Sequence, residues 1–446
     1  MHKILNKLTP PQILTIGFLV IIMLGAFLLT LPISHNLGQI SFIDALFTAV
    51  SATTITGLTI LDTATTWTVF GQVVLAVMIE IGALGFMTFA VILFAITGRR
   101  LDLRSRLLAQ QALNLRNLAD VKSVMAYVVM LSAGIQAIGF VLLSFDFIPR
   151  YGWKWGLYYS LMHAISTFAN AGFTFFADPL TIFQTDPYVL IVMMLLLSAG
   201  SFGFLVWRDV LLYHKTKRLS LHTRVALRVS GWLTVIGFSG FFLSEFVNGH
   251  LPKGLSIFEG LVNTLFLAVV PRTAGFEIIP LHSLSTAAIM LVIFLMFVGG
   301  TPGSTSGGIK TTTLGILWMQ TISTLRGETD VNFGDRRFSP VIVTKALMLA
   351  TISIAFVFTV TFILSLTEKI PAQMGLEYIF FEVISAFSTT GFTLGLTPNL
   401  TAFGKIMIML VMFVGRVGIY TVMFSVLNIR AHTKKYRYPI EEVIIG

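Results

Sequence analysis

The chain has 446 residues, 55% of them hydrophobic and 11% charged, with no cysteine and a formal net charge of +10. A soluble domain carries about 25% charged residues, so this composition lacks the polar supply for a water-facing surface. It is too apolar for disorder, and without thiols it forms neither a disulfide framework nor a thiolate metal site; the solvent it implies is lipid.

The opening MHKILNKL places two lysines before an apolar run at 12–31, long enough to span a bilayer and without a signal-peptide cleavage site, so it reads as a retained first helix. A shorter amphipathic segment follows at 41–54, then the polar loop TTITGLT (53–59) and a second long run at 71–97. The same order returns three times. The second unit has a run at 122–145, a short segment at 156–169, the loop FANAGFT (168–174) and a run at 188–213. The third has 224–246, 256–269, VPRTAGFE (270–277) and 286–320; the fourth has 341–366, 375–388, FSTTGFT (387–393) and 403–427. The long runs are candidate membrane helices. The short segments hold about 14 residues each, too few to cross ~30 Å of hydrocarbon at ~1.5 Å per residue. A short helix followed by irregular backbone is a re-entrant element, tolerated at membrane depth where protein or a wet cavity surrounds it.

The expected architecture is all-α and polytopic: eight spans and four re-entrant half-helices, in four repeats of span, half-helix, glycine loop, span. The repeats fall at 1–120 (with a cytoplasmic linker), 121–222, 223–339 and 340–446 (with a cytoplasmic tail), around one pseudo-fourfold pore. Charge sets the topology. Connectors after the second runs carry Arg99, Arg100, Arg104, Arg106 and Arg116, then Lys215, Lys217, Arg218 and Arg224, then Arg326, Arg336 and Arg337. The tail adds Arg430, Lys434, Lys435 and Arg437, whereas the opposite side has chiefly Arg150, Lys154, Lys253 and Lys369. This excess puts both termini in the cytoplasm and the glycine loops near the outer face. No nucleic-acid module accompanies the basic connectors.

The central glycines are Gly57, Gly172, Gly275 and Gly391. Four such loops on one axis converge main-chain carbonyls on a narrow passage, able to replace the water shell of a monovalent cation without the tight grip of a charged ring. Glycine suits backbone angles that a Cβ disfavours. The stretch expected to line the ion is Thr56, Gly57, Asn170, Ala171, Gly172, Thr273, Ala274, Gly275, Thr390 and Gly391, through carbonyls; the side chains of Thr56, Asn170, Thr273 and Thr390 are expected to orient the loops. The short helices point negative C-terminal ends at the cavity. Asp44, Glu259 and Glu377 near their starts fit that polarity or are ordinary helix-start acids. Arg272, beside Gly275, is expected to point behind its loop, towards carbonyls or Glu277.

Within the third unit, GGTPGSTSGGIKTTT (299–313) breaks the helix. Its gating residues are taken as Gly299, Gly300, Thr301, Pro302, Gly303, Ser304, Thr305, Ser306, Gly307, Gly308 and Lys310. A phosphate-binding loop is excluded by Ile309 between glycine and lysine and by the absence of a preceding strand. VGRVG in the fourth unit sets Arg416 within an apolar run, as a cation barrier, a brace for loop carbonyls, or both. Glu80 is its expected partner, and Lys310 either caps the loop or faces the vestibule. His163, His214, His282 and His432 lack ligand spacing, and no catalytic set is present: no enzyme is read here.

Together the four loops, the 299–313 break and the GRVG arginine resemble the Ktr/Trk/HKT superfamily of potassium transporters, nearest the bacterial KtrB/KtrD-type membrane subunits, over nearly the whole chain. That resemblance implies potassium held at the carbonyls of Gly57, Gly172, Gly275 and Gly391, with glycine at all four positions favouring potassium over sodium. It further implies a gate at 299–313 with Arg416, a homodimer in the bacterial plasma membrane, and potassium uptake with sodium activation. The partner it implies is a cytosolic octameric ring of RCK subunits of the KtrA or KtrC type, opened by ATP and closed by ADP. No tightly bound cofactor is expected, and no RCK-like GxGxxG domain occurs in this chain. The alternatives are an alternating-access cation symporter and the potassium-binding subunit of an ATP-driven pump.

Overall fold

The computed structural model describes residues 9–36, 38–85, 121–252, 254–272, 274–372, 374–427 and 441. The connector arginines at 99–116, the tail basic residues and Thr273 therefore lie outside the described residues. The helices in chain order are α1 (Pro10–Leu29), α2 (Phe42–Thr53), α3 (Val69–Leu84), α4 (Val121–Ala169), α5 (Pro187–Ser201), α6 (Phe204–Thr216) and α7 (Leu221–Phe241). They continue as α8 (Ile257–Val269), α9 (Thr286–Phe297), α10 (Thr311–Leu325), α11 (Pro340–Thr367), α12 (Glu377–Ser388), α13 (Ala402–Val417) and α14 (Ile419–Leu427). A small antiparallel hairpin, pairing Asn332 with Arg337 and Phe333 with Arg336, departs from the all-α expectation. Asp335 in its turn accepts from Arg224 at 2.9 Å, a bond that holds its carboxyl below the ordinary value.

Polarity is inverted relative to a soluble protein. Leu24, Phe27, Phe358 and Phe362 on α1 and α11 are exposed, whereas Phe47, Phe266 and Phe381 on the short helices are fully buried. An apolar exterior around a packed centre is what lipid solvent selects. Among the described residues, four helices are long and apolar enough to cross a membrane, Gln12–Leu29, Val124–Ala169, Leu221–Val247 and Pro340–Thr367, and the bent pair Pro187–Ser201 and Phe204–Thr216 is a fifth if it is taken as one span. The second of these is bent, because Gly152 (φ 77°) breaks the helical path within α4 and separates a long limb from a short one.

The helix in the second apolar run of each unit stops short of the end of that run, whereas the sequence marked a break at 299–313 in the third. α3 stops at Gly85 (φ 81°), α5 turns by 99° into α6 at Phe202–Gly203, α9 gives way to the 299–310 loop, and α13 ends at Gly418 (φ 92°). Positive-φ glycine stops a helix cheaply because it carries no Cβ to clash.

Each of these second helices starts on one device. Thr68, Asp186, Ser285 and Thr401 accept the backbone N–H of Gly71, Val189, Ala288 and Gly404 respectively. Each cap is held by the end of the preceding long helix or the chain just past it: Thr68 by Ile33 O, Asp186 by Arg150, Ser285 by Glu245 and Thr401 by both oxygens of Glu368. The last unit also closes on the first. Lys405 on α13 pairs with Asp44 on α2 at 2.7 Å, and Gln12 on α1 donates to Ser425 O on α14 at 3.2 Å.

Replacing Thr401 with alanine removes a cap and the hydroxyl on Glu368, and is expected to cost about 1–2 kcal/mol. A lower thermal midpoint of the detergent-purified protein checks it; an unchanged midpoint removes the tethering role.

Candidate functional site

The short helices end in a shared geometry. Two residues before the glycine, Ile55, Asn170 and Thr389 adopt left-handed backbone (φ 53°, 58° and 54°), and the glycines follow at φ 88°, 71°, 58° and 95° for Gly57, Gly172, Gly275 and Gly391. Six residues before three of them stands a buried serine. The N–H groups of Thr56, Ala171 and Thr390 donate to the carbonyls of Ser51, Ser166 and Ser385 at 2.8–2.9 Å. Their hydroxyls also hold the loops, accepting from Gly57 N and Gly391 N at 3.1 Å or donating to Phe173 O at 2.8 Å. The sequence reading missed these serines, although serine six residues before glycine recurs in three of the four loops.

The third loop is held differently. Arg272 turns behind it and donates to Ser230 O, Ser230 Oγ and Thr234 Oγ1 of α7, at 3.1–3.4 Å. Glu277, the alternative partner, instead accepts from Leu281 N.

The four loops close into a ring. A methyl group on Gly57 would stand 2.5 Å from Ala171 O and 3.2 Å from Gly172 Cα; one on Gly172 would stand 2.5 Å from Ala274 O. On Gly275 it would overlap Thr390 O and lie 3.0 Å from Gly391 Cα; on Gly391 it would overlap Thr56 O and lie 3.0 Å from Gly57 Cα. Each glycine thus abuts the carbonyl oxygen one residue before the next glycine, in chain order and back to the first. No side chain fits at any of the four seams. The side chains of Thr56 and Thr390 bond to Thr54 Oγ1 and Ser388 Oγ, both at 2.8 Å, and Thr390 Oγ1 also reaches Pro271 O of the third loop at 3.3 Å.

Directly against this ring lies the 299–310 loop. Thr301 N and Thr305 N donate to Ser201 O and Gly200 O at the break after α5, and Phe204 N donates to Gly303 O. Asn170 of the second glycine loop is hydrogen-bonded to Thr305 Oγ1 at 2.7 Å. Gly307 and Gly308 pack on Thr389 and Ser388 at the end of α12, where a methyl on Gly308 would lie 3.2 Å from Ser388 Cα. Lys310 Nζ donates to Ser306 O and Gly307 O, so it caps the loop. A cavity of about 500 Å³ borders the loop, lined by Gly85, Ser306, Lys310, Lys345, Phe387 and Arg416 among others.

Arg416 spans two elements. Its guanidinium donates to Thr305 O and to the carbonyls of Gly82 and Ala83. Glu80 is not its partner: that carboxylate accepts from Gln136 at 2.9 Å. The reason is the early end of α3. Its last carbonyls have no intrahelical donors and carry the negative end of the helix dipole, so they satisfy the cation without a carboxylate. Among the acids near the starts of the short helices, Asp44 pairs with Lys405, while Glu259 accepts from Ser256 N and Glu377 from Gly375 N, which is the helix-start reading.

With this geometry in place, comparison with known proteins is direct. The TrkH family of cation transport proteins matches residues 8–432. The chain belongs to this family. It is 43% identical to the potassium/sodium uptake protein NtpJ of Enterococcus hirae, covering 100% of this chain and 99% of that one. To the Ktr system potassium uptake protein B of Bacillus subtilis it is 41% identical, covering 99% and 97%. The crystal structure of the potassium transporter TrkH from Vibrio parahaemolyticus superposes with a TM-score of 0.69 at 18% identity, covering 92% of this chain and 85% of that one, which shows the shared fold. These relatives are cation transporters, not enzymes, and the TrkH-family chain described here is a multi-pass membrane protein.

Alanine at Gly391 has both a forbidden φ and no room, and is expected to destabilise the protein by about 1–3 kcal/mol. Alanine at Gly303 (φ 73°), with open space beyond it, meets only the backbone penalty. Thermal unfolding of the two variants should rank them in that order.

Proposed function

We propose that this chain is the membrane subunit of a Ktr-type system that takes up potassium through a channel-like pore, with the glycine ring as its selectivity filter. The observation carrying this is the closed ring itself: four main-chain carbonyls, from Thr56, Ala171, Ala274 and Thr390, packed where no side chain fits. Carbonyl dipoles are strong enough to strip a monovalent cation and weak enough to release it. The four half-helix ends add negative dipole potential at the ring. The names of the relatives support potassium, which both carry, and one of them names sodium beside it.

In this reading the chain is four span–half-helix–span repeats (1–120, 121–222, 223–339, 340–446), with both termini cytoplasmic, in the bacterial plasma membrane. The membrane potential supplies about 2.3 kcal/mol per elementary charge per 100 mV. The loop 299–310 is the gate, and Arg416 is both brace and barrier: it holds the loop through Thr305 O, and its positive charge opposes cations until that bond breaks. Relatives named as parts of a Ktr system support a partner component; in this reading the subunit is a homodimer and that component is a cytosolic nucleotide-binding ring of the KtrA or KtrC type. ATP and ADP act on that ring alone. The alternating-access alternative lacks a role for a closed carbonyl ring, whereas a pump subunit would share it and is distinguished by co-purification of an ATPase.

Cation flux from liposomes containing the pure protein tests this. Gly57→Ser is expected to lower the potassium-to-sodium flux ratio about tenfold, the equivalent of ~1.4 kcal/mol at one seam; an unchanged ratio rejects the filter. Arg416→Ala is expected to raise basal flux without a ring by about tenfold or more. If that variant still conducts only with the ring bound, the gate lies elsewhere.

A further inference from the structure

One register position on the short helices carries different chemistry in each unit. Nine residues before the glycines stand Thr48, His163, Phe266 and Glu382, all at 1% exposure or less. Thr48 donates to Asp44 O of its own helix and Phe266 fills apolar space. Glu382 instead reaches the limb that leaves Gly391. Thr393 Oγ1 donates to its Oε2 at 2.8 Å, Thr397 Oγ1 donates to its Oε1, and Thr393 Oγ1 in turn accepts from Gly395 N at 3.0 Å. A buried carboxylate is costly unless hydrogen-bonded, and core packing alone is served as well by leucine. Both its oxygens are spent on one loop.

His163 does the same for the second loop. Its Nδ1 lies 2.9 Å from Tyr159 O and so carries the proton, which leaves Nε2 to accept from Phe175 N at 3.4 Å. Its ring stacks on Phe176 at 4.2 Å. The seams run in chain order, so the second and fourth loops face each other across the ring.

We propose that Glu382 is a positioning residue for the fourth glycine loop: it fixes the limb after Gly391 through Thr393 and Thr397, opposite an equivalent brace from His163, and so sets the carbonyl spacing that discriminates between alkali cations. This rests on the ring being the filter. The test uses full-length protein in liposomes, reading the potassium-to-sodium flux ratio, with thermal midpoint as the control. Thr393→Val, which removes one donor and keeps the shape, is expected to lower the ratio about three- to tenfold, and Thr393→Ser to recover most of it. Glu382→Gln, which keeps acceptor capacity on one oxygen only, should fall between. An unchanged ratio in Thr393→Val, or a lower thermal midpoint with the ratio intact, overturns the proposal. Should Glu382→Gln fail to fold, Thr393→Val decides alone. Gly57→Ser in parallel separates the two failures: if it shifts the ratio and Thr393→Val does not, the brace is wrong; if neither shifts it, the filter is.

Discussion

Main chain packed against main chain, with no room for a Cβ, is the constraint around which the molecule is organised. Four peptide segments meet at Gly57, Gly172, Gly275 and Gly391, and any side chain there would collide with the neighbouring carbonyl. Holding bare backbone at the centre of an apolar protein requires a partner for every polar group. The short helices, the serines at 51, 166 and 385 and the left-handed residues before the glycines meet that requirement locally. The long helices then enclose the assembly and turn their apolar faces outward.

A second consequence concerns charge. A chain with few acids places an arginine in its interior and neutralises it with backbone rather than carboxylate. That works because the second helix of the first unit ends at Gly85, leaving carbonyls free for Arg416. The same guanidinium touches Thr305, and Thr305 touches Asn170 of the glycine ring. Ring, loop and arginine are therefore one hydrogen-bonded unit: a shift in any member is felt at the other two.

The succession of long and short apolar helices was legible because it rests on run length, and lipid solvent makes run length the strongest signal in a sequence. Half-helices too short to span and glycines at a steady interval needed no structure to be noticed. The interruptions after α3 and α5 were not legible. GALGF and GSFGF hold fewer breaking residues than the 299–313 segment, and glycine inside an apolar helix is common in membranes. The pairing of Arg416 with Glu80 failed for a related reason: opposite charge is visible in a sequence, whereas an uncapped helix end exists only once the helix has stopped.

The sequence by itself determined the lipid solvent and the succession of long and short apolar helices, since these follow from composition and from spacing along the chain. Only the tertiary structure decided which carbonyl meets which glycine, that the last unit closes on the first through Lys405 and Asp44, and where the buried arginine finds its acceptors. Those are contacts between residues hundreds of positions apart. No local propensity encodes them; they are settled by how the helices and loops pack against one another.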